Sequence, residues 1–478
     1  MEHLQHHHHH HRPHPELAPD PETHSREGTP PPPDTAVEIV RQVTIDIGPP
    51  PDGGLEAWLC VVATFLLLFC IFGCATSFGQ LELYYLSHQL SGYSKSTVAW
   101  IGSCQSTLTF LGSIYTGRYF DSHGPRMLVI VGTVASVSAL VAIAFCHEYY
   151  QFLLAHMLFG LSGTIIYAPA TSISGHWFLK RRSTAVGIIV CGAGLGGVVY
   201  PIMFKQLFDQ LSFRNTMLIV AGFNGVLMVP GCFFMKSRLP RRHPPPLKAL
   251  AGPWHEARYV FLVVGSGLYV LNVFSPYFNA PTLATSNNLP ANISSYAIAI
   301  LQTGSFLGRA SAGFMADAFG VWNVFGTMCF ATSIVLFTFW TGSPIGTAAT
   351  IIGLLLYGFV SGAWFTLVAA ACAAISPTRE IGMRLGMLWS FVGLPVLVGP
   401  VVCGLLINVA GGKFTYAGVF CGFTMLMAAF ITPGPRLMQA IRTAVFGPRS
   451  RLEDAESSTE TIVAEDDEKE DSKEDTKA

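Results

Sequence analysis

Long apolar runs alternate with short polar segments along most of the chain. Twelve of these runs reach the roughly 20 residues that a helix needs to cross a bilayer. The pattern therefore predicts an all-α membrane protein with one transmembrane helix in each run. The predicted spans are 57–79, 96–117, 126–146, 150–173, 184–207, 214–235, 258–280, 293–316, 321–341, 346–373, 382–409 and 414–435.

A short motif occurs twice at a fixed distance. FLGSIYTGRYFDSHG begins at Phe110 and FLGRASAGFMADAFG begins at Phe306, an offset of 306 − 110 = 196 residues. Both copies contain G-x-x-x-D-x-x-G, with Asp121 in the first and Asp317 in the second. The offset places span 2 on span 8, and a basic, proline-rich segment separates spans 6 and 7. We therefore predict an internal duplication, with two six-helix bundles in parallel orientation.

These boundaries divide the chain into five regions. We predict a disordered N-terminal tail at 1–54, a six-helix bundle at 55–235, a cytoplasmic linker at 236–257, a second bundle at 258–435 and an acidic disordered tail at 436–478. Basic residues near the spans lie mainly on the side of both tails, so both termini are expected in the cytoplasm. We expect the plasma membrane rather than the vacuole or another internal membrane.

Composition narrows the class of protein. The chain is 51% hydrophobic and 12% charged, whereas an ordinary globular protein has about 25% charged residues. The formal net charge of −1 implies no general attraction to nucleic acid. The chain has no P-loop pattern, no nucleophile–base constellation and no cysteine spacing typical of a metal site. We expect neither an enzyme nor a cofactor or metal.

The repeated loop motif resembles the signature of the major facilitator superfamily. With the six-plus-six repeat, the resemblance implies two bundles that rock about a central site. It places Asp121, Arg126 and Asp317 in gating loops rather than at the substrate. From local sequence, each aspartate is expected to cap the following helix or to pair with a nearby arginine such as Arg126.

Two further segments are similar to the monocarboxylate porter family, particularly its fungal branch. They are DGGLEAW at 52–58 and HWFLKRRSTAVGIIVCGAGLGG at 176–197. The resemblance covers about 50–435 and implies a secondary active or facilitative carrier of a monocarboxylate or another small organic anion. The alternative on the same fold is an efflux carrier for a secondary metabolite or a drug-like compound.

Arg309 lies well inside span 8, where a charge costs about 2.5–3.5 kcal/mol on insertion scales. A guanidinium that faces the bundle interior can hold a carboxylate with two parallel hydrogen bonds. The resemblance aligns Arg309 with the substrate-binding arginine of the porter family. The alternative is an internal ion pair that only locks the bundle.

Two positions depart from the animal members of the porter family. Those members carry an aspartate one turn before the arginine, where this chain has Ser305, and a lysine late in span 1, where it has Gln80. Lactate–proton symport of the animal type is therefore not expected. Glu82 and His156 remain as titratable groups for proton coupling. The alternative to proton coupling for Glu82 is a solvated carboxylate at the outer mouth. For His156 it is a hydrogen-bonded interior histidine.

Aromatic residues complete the predicted substrate site. Trp364 lies among glycines in GFVSGAWFTL, which leave space beside it, and Tyr167 lies inside span 4. Together with Arg309 and Gln80 they are predicted to bind the substrate, although packing is the alternative for each aromatic residue. The expected partners are a small-molecule substrate, the lipid bilayer and protons as a coupling ion, with the chain acting as a monomer.

Overall fold

The structure is a computed structural model that describes residues 50–241, 247–342 and 345–434. These residues belong to one compact unit and contain no β-strand. The histidine run at 6–11, residues 1–49 of the predicted N-terminal tail, the predicted C-terminal tail at 436–478 and part of the predicted linker lie outside the described residues.

Twelve helical segments follow the predicted spans in order. The first six are α1 (Leu55–Thr76, continued by Phe78–Ser87), α2 (Lys95–Leu111, continued by Ser113–His123), α3 (Arg126–Ala144), α4 (Tyr149–Ser172), α5 (Arg182–Gln210) and α6 (Phe213–Phe234). The second six are α7 (Ala257–Ser286), α8 (Ala297–Phe319), α9 (Val321–Val335, continued by the π-helical turn Leu336–Trp340), α10 (Thr347–Ala374), α11 (Ile381–Val409) and α12 (Thr415–Ile431). Short helical turns lie at Ser174–Trp177, Leu247–Ala251, Gly252–His255 and Ala291–Ser294.

Nine of the helices within the described ranges are long and apolar enough to cross a membrane. This confirms the prediction of an all-α membrane protein. The other three segments are α2, α8 and α12, of which α12 is apolar but has 17 residues. Their crossing of the membrane stays a prediction.

Helix packing repeats between the two halves of the chain. In the first half α1 packs against α5 and α6, α2 against α4, and α3 against α4 and α6. In the second half α7 packs against α11 and α12, α8 against α10, and α9 against α10 and α12. Adding six to each helix number converts the first set into the second. The repeat of the loop motif therefore extends to the packing of the helices.

Two long seams join the halves. Along one seam α5 packs against α8, and along the other α2 packs against α11. We call the end of the molecule that carries Asp121 and Asp317 the motif end. Since α5 starts and α8 finishes at that end, the two helices run antiparallel along their seam.

Candidate functional site

Arg309 lies near the middle of α8 and is 5% exposed. Its Nη1 donates a hydrogen bond of 3.3 Å to the carbonyl oxygen of Val190 in α5. Its guanidinium carbon lies 4.8 Å from the ring centre of Phe365 in α10. The side chain thus connects both halves and three helices.

No carboxylate of the described residues lies within ion-pair distance of Arg309. The Nε atom of Arg309 is buried and has no hydrogen-bond partner. The phenols of Tyr277 and Tyr167 are close enough to interact electrostatically with the guanidinium. The structure therefore does not support the internal ion pair. A buried cation without a counter-charge is unfavourable, so the site favours an incoming anion.

Glycines bring α8 close to both of its neighbours. On the α10 side, a Cβ atom added to Gly308 would collide with the carbonyl oxygen of Phe359, and one added to Gly304 would collide with that of Leu355. On the α5 side, a Cβ atom on Gly194 would lie 2.8 Å from the Cα of Phe306. This close approach holds the backbone around Arg309 between two helices.

A cluster of buried aromatic rings from both halves lies beside Arg309. Trp364 stacks on Tyr269 with ring centres 4.7 Å apart, and it meets Trp389 edge-on at 6.2 Å. Trp389 also contacts Tyr167 at 4.8 Å and Phe110 at 5.5 Å. The cluster joins Arg309 because Trp364 contacts the neighbouring Phe365, on which the guanidinium lies.

The two tryptophans of this cluster carry buried donors without acceptors. The indole Nε1 atoms of Trp364 and Trp389 have no hydrogen-bond partner. A buried donor without an acceptor costs about 1–3 kcal/mol. Nε of Arg309 is a third buried donor without an acceptor in this region.

Ser305, one turn before Arg309, lies in a neutral environment. The Tyr277 hydroxyl donates to Ser305 Oγ at 3.3 Å and lies 3.0 Å from Ser361 Oγ. Both groups that contact Tyr277 here are serine hydroxyls. No titratable carboxyl therefore stands at this position to move a proton.

His156 is held by neutral partners in the first half. Its Nδ1 lies 2.5 Å from Oε1 of Gln105, and its Nε2 lies 3.0 Å from the Tyr85 hydroxyl. A neutral ring that donates from Nδ1 and accepts at Nε2 satisfies both contacts. The geometry thus agrees with the alternative of a hydrogen-bonded interior histidine.

The structure does not bring Gln80 to Arg309. Gln80 lines a crevice with Tyr296 and Ile298, which precede Arg309 along α8 by 13 and 11 residues. At 1.5 Å per residue, this places Gln80 about 16 Å or more along the helix axis from the arginine. Glu82, two residues further along α1, is half-buried at the same end. Of the predicted substrate-binding residues, only Arg309, Trp364 and Tyr167 are brought together.

At the motif end, the two repeated aspartates cap helices of the opposite half. The Asp317 carboxylate accepts from the backbone N–H groups of Ser183 and Thr184 at 3.2 and 2.8 Å, and from the Thr184 hydroxyl at 2.6 Å. The Asp121 carboxylate accepts from two backbone N–H groups at the start of α11. The charge also interacts favourably with the helix dipole.

The expectation that each aspartate caps the following helix is wrong. The second piece of α2 continues through Asp121 to His123, and α3 begins after Pro125 without a side-chain cap. The aspartate side chain therefore points sideways from its helix towards the other half. Arg126 is exposed at the start of α3.

Two other contacts support the start of α5. Nη1 of Arg182 donates to the carbonyl oxygen of Ala373 at 2.7 Å, which adds a bond between the halves.

Oδ1 of Asp52 accepts from the N–H groups of Leu179 and Lys180 at 2.6 Å each, and from that of Arg181 at 3.4 Å. Partial burial raises the pKa of Asp52, but these backbone bonds outweigh it and hold the pKa below its usual value.

Sequence reasoning missed Phe365, Trp389 and the partners of the two aspartates. Trp389 lies in GMLWSFVG, a glycine-flanked tryptophan like Trp364, so the same signal could have found it. Phe365 directly follows Trp364 and carried no signal of its own. The partners of the aspartates are backbone N–H groups, which the residue types in the sequence do not reveal.

The fold and its seams define a multi-pass membrane transporter built from two related halves. The chain belongs to the major facilitator superfamily, whose profile matches residues 62–280. "MFS-type transporter 1" from an Ophiocordyceps species is 33% identical over 401 residues, covering 82% of this chain and 89% of that protein.

Two other relatives carry more specific names. The "Fujikurins efflux protein" of Gibberella fujikuroi is 33% identical over 401 residues, covering 81% of this chain and 84% of that protein. The "Aspyridones efflux protein apdF" of Emericella nidulans is 32% identical over 393 residues, covering 82% of this chain and 80% of that protein. These names agree with the alternative of a secondary-metabolite carrier better than with the monocarboxylate prediction.

Solved structures share the fold. A crystal structure of the human organic anion transporter MFSD10 has a TM-score of 0.67, with 16% identity over 80% of this chain and 100% of that chain. A crystal structure of a bacterial homologue of the iron transporter ferroportin, in an outward-facing state, has a TM-score of 0.61, with 16% identity over 79% of this chain and 98% of that chain. At these identities the likeness extends to the fold alone.

Proposed function

We propose that this protein is a secondary carrier that exports an anionic secondary metabolite, with Arg309 binding the anionic group. The observation that carries the proposal is a buried arginine, at the interface of the halves, that has a free Nε and no acidic partner among the described residues. The names of the fungal relatives support a metabolite as the substrate and efflux as the direction.

The aromatic cluster supports a substrate with a conjugated or otherwise apolar body. Trp364, Trp389 and Tyr167 offer ring faces and edges next to the guanidinium. Flat apolar groups pack well against such rings, and the free indole N–H groups can bind acceptor oxygens. The substrate class is therefore an organic anion with a ring or conjugated chain.

We call the hydrogen bonds from each of the two aspartate carboxylates to a helix start of the opposite half a clamp. The two clamps, of Asp121 and Asp317, form the gate at the motif end. Each of them must release a helix start of the opposite half before the halves can separate there. Arg309 then becomes accessible from that end, and closure returns it to the buried state. In this cycle the aspartates act on access and make no contact with the substrate.

A small monocarboxylate is the second candidate, because the same guanidinium suits any carboxylate. The two candidates differ in the use of the aromatic cluster. A lactate-sized acid leaves most of the rings without a partner, whereas a larger metabolite covers them. Transport of lactate that is insensitive to Trp364→Ala and Trp389→Ala would favour the second candidate.

The test is export by intact cells. A filamentous fungal host would express the full chain or the Arg309→Glu variant, and untargeted mass spectrometry would compare the compounds in the medium. Lys413→Glu, at an exposed lysine in the loop between α11 and α12, is the matched charge reversal. We expect one or more organic anions to appear with the wild type and with Lys413→Glu and to be absent with Arg309→Glu at equal surface expression. Equal levels with Arg309→Glu would overturn the proposal.

A further inference from the structure

A second polar position lies on the α5–α8 seam, at the end opposite the motif end. A crevice there is lined by Gln80 from α1, Lys205 from α5 and Tyr296 at the start of α8. Its other walls are mainly apolar, formed by Pro201, Ile202, Ile298 and Ala299, with Ser295 at the rim. The crevice lies where the two halves meet.

Lys205 has only neutral partners in this crevice. Its Nζ donates to the Tyr296 hydroxyl at 3.3 Å and lies 4.3 Å from the centre of the Tyr296 ring. No carboxylate of the described residues lies within ion-pair distance of it. A cation over a ring at a part-exposed site gains only about 0.5–1 kcal/mol, which a carboxylate can replace.

A buried amide lies between Lys205 and Arg309 on the same seam. Gln302 is 1% exposed, and its Oε1 has no hydrogen-bond partner. The amide lies against Gly197, where a Cβ atom would come 2.5 Å from its Nε2. Gln302 is 7 residues from Arg309 along α8, and Gly197 is 8 residues from Lys205 along α5. Each of these steps corresponds to about 10–12 Å along a helix.

We propose that Lys205 forms a second organic-anion site, which receives the anionic group of the substrate at the end opposite the motif end. In the structure Tyr296 takes the place of that ligand and closes the crevice. A carboxylate that arrives displaces the Tyr296 hydroxyl from Lys205, and the side-chain amide of Gln80 supplies a further donor in the crevice. This inference rests on the proposed function, because it assumes that the transported compound is an anion.

The first test uses benzoate as the probe and the reactivity of the lysine amine as the readout. The full chain in proteoliposomes would be treated with a water-soluble acylating reagent, and mass spectrometry would follow acylation of each lysine. Benzoate should slow the acylation of Lys205 and leave that of Lys413 unchanged, whereas neutral benzamide should protect neither. Equal acylation of Lys205 with and without benzoate at its solubility limit would overturn the proposal.

The second test uses benzoate exchange across the same proteoliposomes. Lys205→Gln should raise the half-saturation concentration about two- to five-fold, the range of a part-exposed ion pair, and Lys205→Arg should restore it. Tyr296→Leu should lower it, because the competing partner is removed. A lysine that only holds the crevice closed predicts no change in Lys205→Gln, or a rise in Tyr296→Leu, and either result would reject the site.

The two proposals fail in different experiments. If Arg309→Glu still exports every compound, the central anion site is wrong. If export depends on Arg309 but benzoate never protects Lys205, only the second site is wrong.

Discussion

The carboxylate of Asp121 lies 2.6 Å from the backbone nitrogen of Met383, which belongs to the opposite half of the protein. Its other oxygen accepts from the N–H of Gly382 at 2.9 Å. Asp317 repeats this arrangement with Ser183 and Thr184 on the second seam. In both cases the amides are the second and third of their helix, so the duplicated motif makes the same contact twice.

Each clamp should therefore protect its own pair of amides. In Asp121→Ala we expect hydrogen–deuterium exchange at Gly382 and Met383 to become about ten-fold faster or more, since bonds to a charged acceptor contribute roughly 1.5–3 kcal/mol. Exchange at Ser183 and Thr184 should stay as in the wild type. Asp317→Ala should give the reverse pattern and serves as the control. Faster exchange at both seams in each single variant would indicate general unfolding and contradict two separate clamps.

Packing around Arg309 depends on the absence of a side chain at Gly308. A methyl group there would meet the carbonyl oxygen of Phe359 in α10, a backbone atom that cannot move without shifting the helix. We expect Gly308→Ala to cost about 1–3 kcal/mol, seen as a lower unfolding temperature in detergent. Gly222→Ala is the matched control, because this exposed position in α6 has no atom within 4 Å of the added Cβ and should be neutral or slightly stabilising. Equal stability of the two variants would show that α8 and α10 can separate freely.

The bonds of His156 to Gln105 and Tyr85 indicate a structural role. His156→Gln should lower stability by about 1–3 kcal/mol, because Gln105 and Tyr85 lose a well-placed partner in a buried site. The response of export to external pH between 5.5 and 7.5 should remain that of the wild type. A variant that folds normally but loses its pH response would assign proton coupling to His156.

Asp52 should hold the loop before α5 through its charge. Because its pKa is lowered in the folded protein, its contribution is present above the unfolded pKa of about 3.9 and is lost as pH falls through the folded value. Exchange at the amides of Leu179 and Lys180, corrected for intrinsic rates, should be constant from pH 8 to 5 and should rise only below about pH 4. Asp52→Ala should show the fast exchange at every pH. A wild-type transition near pH 6 would assign the effect to another group.

Much of the fold could be predicted from the pattern of apolar residues. Each of the twelve runs contains a helix, and the repeated motif predicted two related halves, whose helices pack in the same pattern. The predicted end of span 1 was less accurate, since the helix resumes after Ser77 and runs to Ser87. This extension carries Gln80 to the crevice that it lines with Tyr296. The family resemblance selected Gln80 as a residue of span 1, but it could not show how far along the helix axis Gln80 lies from Arg309.

The candidate site was only partly predictable. A lone charge in an apolar run identified Arg309, because insertion of a charge into a membrane is costly wherever the helix lies. The partner of Asp121 is 261 residues away and consists of backbone N–H groups, so only the packing of α2 against α11 reveals it. The grouping of Trp364 with Trp389 likewise depends on how α10 and α11 meet.

The role of Arg309 in anion binding is tested most directly by comparing Arg309→Gln with Arg309→Lys in the export assay, with medium compounds sorted by their charge at pH 7. We expect Arg309→Gln to remove the exported anions from the medium. Arg309→Lys should retain a reduced level, since an ammonium keeps the charge but not the paired hydrogen bonds. Neutral compounds should be unchanged in both. Wild-type levels of the exported anions with Arg309→Gln would show that Arg309 does not bind the transported anion.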